Sequence, residues 1–88
     1  MQLINIGYGN IIVAERIVVI MTPGTAPLKR LKEEAKQKGK LIDVTYGKKT
    51  RSVIVTDTDH LILSPVNSQT ISMRIEGNEN DQKEENEN

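Results

Sequence analysis

A chain of 88 residues with no cysteine, tryptophan or phenylalanine cannot staple itself with disulfides, and its core must be built from Ile, Leu, Val, Met and Ala. Its formal net charge of zero joins two unlike pieces: residues 77–88 set Glu79, Asp81, Glu84, Glu85 and Glu87 against Lys83 alone, while residues 1–76 are basic. One histidine without cysteine leaves few nucleophiles, general bases or metal ligands, so no enzyme, metal or cofactor is expected, and self-association is the remaining source of extra stability for so small a core.

Leu3 to Ile6 form the first expected strand, and Gly7-Tyr8-Gly9-Asn10 supplies turn chemistry. No basic segment followed by a long apolar one precedes them, and the longest apolar run, Ile17 to Met21, is far short of the roughly 20 residues that span a bilayer. The expectation is a cytoplasmic protein without a membrane partner. The β-branched run Ile17-Val18-Val19-Ile20 reads as a strand covered on both faces, stopped by Thr22-Pro23-Gly24.

Thr25 is a helix N-cap with Pro27 in the first turn, and a helix follows to the stop at Gly39. Leu28, Leu31 and Ala35 make its narrow apolar stripe. Three closely spaced strands, Leu41 to Tyr46, Ser52 to Asp57 and Leu61 to Ser64, are expected to form an antiparallel meander, with a short helix QTISMRIE capped by Asn67 or Ser68 after them. The expected fold class is therefore α+β: a small antiparallel sheet, one main helix and a short C-terminal helix over residues 1–76, then an acidic, disordered tail over 77–88.

Several motifs lead to no chemistry. GYGN would need a glycine at position 12 to open a dinucleotide-binding fingerprint, and Ile12 stands there; a turn that lets backbone pass closely by another chain is the plainer reading. Asp57, Asp59 and His60 are too few ligands for calcium or zinc and read as a polar hairpin turn.

The basic residues carry more. Lys29 to Arg51 hold most of the chain's cations, and YGKKTR at 46–51 is a cationic turn. It either protects a hairpin tip from aggregation or contacts phosphate. Arg16, at the entry to an apolar strand, either covers apolar surface with its stem or grips phosphate with its planar fork. A basic helix, a basic turn and an acidic tail kept apart from both, in a unit expected to multimerise, favour repeated phosphate contacts.

NIGYGN at 5–10, Ala14-x-Arg16-Ile17, the helix start Ala26-Pro27-x-Lys29-Arg30, Lys38-Gly39-Lys40-Leu41, Gly47-x-x-Thr50-Arg51 and TDTDHLILS at 56–64 together resemble the extracellular-matrix regulator RemA family of bacteria, over residues 3 to about 76. The resemblance implies a DNA-binding transcriptional regulator, an activator of biofilm-matrix and osmoprotection genes. It also implies a LytTR-like subunit and an octameric homo-oligomeric ring with duplex DNA wrapped around it. Family DNA-contacting positions map onto Arg16, Lys48, Lys49 and Arg51, and Pro27 resembles a position near the subunit interface. Lysine at 48 and 49, where the family commonly has arginine, keeps the charge but loses the fork for bidentate contact. The rival readings are a single-stranded RNA-binding module, for which two tyrosines are few, and a structural oligomer without nucleic acid.

Overall fold

The computed structural model describes residues 1–77. Strands β1 (Leu3–Asn5) and β2 (Ile11–Val13) form a hairpin, and a 3-10 turn over Ala14–Arg16 leads into β3 (Ile17–Met21). Helix α1 (Ala26–Gln37), β4 (Leu41–Asp43), β5 (Ser52–Thr56), β6 (Leu61–Ser64) and α2 (Ser68–Ile75) complete an α+β fold.

Both helices start where their caps direct. The Thr25 hydroxyl accepts from Leu28 N at 3.3 Å, and the Asn67 side chain accepts from Thr70 N at 2.8 Å. The sheet beside them departs from the expected meander. Its order is β3-β5-β6-β4. β5 and β6 do pair as an antiparallel hairpin, whereas β4 runs parallel to β6 with Leu41 opposite Leu61, and never touches β5 in the ladder. Residues 44–51 are consequently not a hairpin tip. They cross over the end of β6, from one of its neighbours to the other, a span of two strand spacings or about 10 Å.

Period-two alternation divides the core. Ile54 and Ile62 point to one face, with Ile4, Ile6 and Ile12 from the hairpin, Val66 from the link between β6 and α2, and Ile71 from α2. Val53, Leu61 and Leu63 point to the other, where Leu28 and Ala35 of α1 cover them. Isoleucine fills the first layer and leucine dominates the second, each with no aromatic ring.

Two expectations about burial need correction. β3 is an edge strand, and its pairing with β5 shifts between Ile17 opposite Thr56 and Val19 opposite Val55. Val18 is the extra residue of that bulge and is 66% exposed, so the run 17–20 is not covered on both faces. On α1, Leu28 and Ala35 are buried but Leu31 is 42% exposed, because it overhangs the edge strand and lines an open groove with Val19 and Met21.

Polar ties hold the layers in register. Ser64 Oγ, fully buried, donates to Ile6 O at 2.8 Å and accepts from Val66 N at 3.0 Å, while Ser52 Oγ donates to Val66 O at 2.7 Å. Gly7, at φ +115°, passes so close to this junction that an added Cβ would stand 2.7 Å from Pro65 Cγ. The close approach of the GYGN turn is thus made within the chain, to Pro65, and not to another chain as expected. The Gln2 side-chain amide donates to Arg74 O and Ile75 O, both at 3.0 Å, tying β1 to the end of α2. The acidic tail, from residue 78 onward, lies outside the described residues.

Candidate nucleic-acid interface

The crossing segment begins at Asp43. Thr45 donates to Asp43 Oδ1 through both its backbone N–H (2.8 Å) and its Oγ1 (2.6 Å), which satisfies a threonine only 3% exposed. The Thr45 hydroxyl first, then the Thr45 N–H, hold the Asp43 carboxyl below the usual aspartate value. A tight turn follows, closed by Lys48 N donating to Thr45 O at 2.9 Å, with Tyr46 and Gly47 at φ +56° and +78°. Both ends are pinned to the β6 strand, by Val44 N donating to Leu63 O at 3.0 Å and Arg51 N donating to Ser64 O at 2.8 Å.

Lys48, Lys49 and Arg51 stand exposed on this pinned segment. Among the described residues none of the three has an ion-pair partner, the salt bridges there being Met1–Glu15 and Arg16–Asp57. Three cations without an ion-pair partner among the described residues, on a fixed backbone, concentrate positive potential of the kind that attracts an extended polyanion.

Arg16 is elsewhere. It ends the 3-10 turn, its Nε donates to Asp57 Oδ1 at 3.0 Å, and its carbonyl accepts from Asp57 N at 2.9 Å. Its two terminal amino groups make no hydrogen bond among the described residues and project from a solvent-exposed side chain. Arg51 and Asp57 flank opposite ends of β5, about 20 Å apart at some 3.3 Å per residue. The four DNA-binding candidates therefore form two sites at the two ends of one strand. Pro27 is exposed in the first turn of α1.

The TDTDH segment is a polar turn in which Thr56 Oγ1 lies 2.9 Å from Thr58 Oγ1, and Thr58 Oγ1 lies 2.7 Å from His60 Nδ1. The Asp59 N–H donates to Thr56 O at 3.0 Å, which closes the turn, while the Asp57 carboxylate accepts from Arg16 outside it.

Sequence reasoning missed one element of the site. Tyr8 and Tyr46 stack, ring centroids 4.9 Å apart and planes inclined by 20°. The contact joins the GYG turn to the basic crossing segment and is worth about 0.5–1.5 kcal/mol beyond its buried area. The available signal was that both rings in the chain sit beside glycines, in G-Y-G and Y-G.

The chain is an α+β domain that displays a pinned basic segment, and its class follows from the families and relatives it matches. A family model described as extracellular matrix regulatory protein A-like, RemA-like, matches residues 3–75, and the chain belongs to that family. Relatives carrying the provisional name of regulatory protein include one from Fervidobacterium nodosum, 58% identical over 73 residues, covering 83% of this chain and 78% of its own. One from Thermosipho melanesiensis is also 58% identical with the same coverage. Another, from Thermotoga petrophila, is 55% identical over 83% of this chain and 79% of its own. The matched stretch contains every site residue described above. Among the described residues no helix is long and apolar enough to cross a membrane.

Proposed function

We propose that this protein is a cytoplasmic, non-enzymatic transcriptional regulator that binds duplex DNA through phosphate contacts from Lys48, Lys49, Arg51 and Arg16. The observation that carries this reading is the crossing segment 44–51, whose three exposed cations lack carboxylate partners among the described residues while both its ends are pinned to β6. Cations that served only solubility would need no such anchoring. The RemA-like membership supports a regulatory role, and activation of biofilm-matrix and osmoprotection genes is the specific role proposed.

The regulator acts as a ring of copies, octameric by its resemblance, with DNA bent around it. Support comes from the two open sheet edges, which are unlike each other. β3 offers Val18 and Val19, 66% and 41% exposed, and β4 offers Ile42, 42% exposed. Unlike edges associate head to tail, and head-to-tail contacts form a ring when the rotation between copies closes. With basic sites about 20 Å apart on each copy, a ring presents a repeating track of cations, and weak individual contacts add through effective concentration.

Mobility shift of duplex DNA across a salt series tests the reading. Wild type is expected to lose affinity with a log–log slope near −0.9 per neutralised phosphate, and Lys48→Ala/Lys49→Ala to bind more weakly with a shallower slope. Equal binding by the double variant at every salt concentration would overturn the site, and light scattering that returned a stable monomer at micromolar concentration would remove the ring.

A further inference from the structure

The phosphate contacts account for the lysines and leave the tyrosine pair unexplained. Tyr8 and Tyr46 are the chain's two aromatic residues, and both adopt positive φ, +54° and +56°, a conformation uncommon for bulky side chains. Strain of this kind gathers where a side chain must be aimed. Here it brings two rings from separate turns face to face at 4.9 Å. Tyr8 is partly buried, and its hydroxyl is enclosed without a hydrogen-bond partner among the described residues. Tyr46 is 79% exposed although one of its faces lies on Tyr8, so its exposure comes from the opposite face and the ring edge. Lys48 and Lys49 follow immediately across the tight turn.

An aromatic face backed by a second ring, on the same tight turn as two lysines that have no ion-pair partner among the described residues, has the chemistry that takes a base and its phosphate together. We propose that the outer face of Tyr46 is a stacking site for an unstacked nucleobase, with Tyr8 as the residue that positions it. This rests on the nucleic-acid reading above and deepens it. The base comes from a single strand or from a kinked step in a bent duplex, where wedging side chains part neighbouring bases.

With no tryptophan in the chain, tyrosine emission reports this pair alone. The test titrates the full chain with a single-stranded oligonucleotide and with a duplex of the same sequence, following tyrosine emission and affinity together. Quenching is expected on binding. Tyr46→Leu is expected to lose about tenfold in affinity, the scale of one stacked base, while Tyr46→Phe stays near wild type. A loss confined to the single strand identifies an unpaired base as the ligand, and a loss on the duplex identifies a kinked step. Should the leucine variant fail to fold, Tyr46→Trp supplies a unique indole whose emission must change at saturation. Unchanged affinity in Tyr46→Leu, or unchanged indole emission in Tyr46→Trp, overturns the stacking site while a weakened Lys48→Ala/Lys49→Ala leaves the phosphate site standing. Absence of binding by wild type to either oligonucleotide overturns both.

Discussion

Arg16 and Asp57 are joined twice: the guanidinium Nε donates to the carboxylate at 3.0 Å, and the Asp57 N–H donates to the Arg16 carbonyl at 2.9 Å. The backbone link fixes where Arg16 leaves the sheet, and the side-chain link occupies only the Nε. With side chains 56% and 48% exposed, the ion pair stabilises the fold by less than about 1 kcal/mol. Its larger consequence is electrostatic, since it holds a negative charge beside the cation proposed above to contact phosphate. Asp57→Asn is therefore expected to leave the melting temperature nearly unchanged and to tighten duplex binding about two- to fivefold at low salt, an advantage that fades as ionic strength rises. Weaker binding by Asp57→Asn in the same mobility-shift assay would mean that the carboxylate orients Arg16 more than it neutralises it.

Ser64 is expected to be costly to replace. Alanine there leaves Ile6 O and Val66 N without the hydroxyl that joins them, and each buried unpaired group costs about 1–3 kcal/mol. A fall in Tm of at least about 8 °C should follow for a domain of this size. Ser72→Ala, on the exposed side of α2, is the matched control and should stay within about 2 °C of wild type. Thermal melts followed by circular dichroism decide the comparison.

Acid stability should depend on the Asp43–Thr45 pair. Hydrogen bonds from the Thr45 hydroxyl and N–H lower the Asp43 pKa in the folded protein, so near the unfolded value of about 3.9 the unfolded chain binds more protons. The pair's contribution is present above that pH and is lost as pH falls through the depressed folded value. Thr45→Val removes the larger cause and should flatten the drop in stability below about pH 4. Glu15, held below its usual value by the Gln2 N–H, adds a part that this substitution leaves in place. Urea melts at pH 6 and pH 3 would measure the difference, and an equal drop in both proteins would assign the acid sensitivity elsewhere.

Local signals in the sequence were strong wherever the structure is local. Thr25 and Asn67 announce their helices because a cap acts within three residues, and the β5–β6 hairpin follows from two apolar runs, SVIVT and LILS, parted by a short polar turn. The partner of β4 was illegible for the opposite reason: Leu41-Ile42-Asp43 fits an antiparallel hairpin with β5 as well as it fits a parallel ladder with β6, and nothing nearby distinguishes them. Val18 looked buried because β-branched density does not reveal a bulge or an edge position. At the candidate site the cations could be read directly, but their arrangement could not. Only the fold separates Arg16 from Arg51 along β5, and only the fold sets Tyr8, from the first turn, against Tyr46.

The parallel ladder has a kinetic consequence. Leu41 meets Leu61 across twenty positions of chain, and that intervening length includes β5, whose hairpin with β6 closes a far shorter loop. Short loops close first because they lose less chain entropy. The expected order of assembly is the β5–β6 hairpin, then β4, and last the cationic crossing that both ladders anchor. In pulse-labelled hydrogen exchange during refolding, the amides of residues 53–55 should gain protection before that of Val44, whose bond to Leu63 O waits on β4. The segment that carries the charge is thus a late reporter of native topology, absent from any species in which only the hairpin has formed.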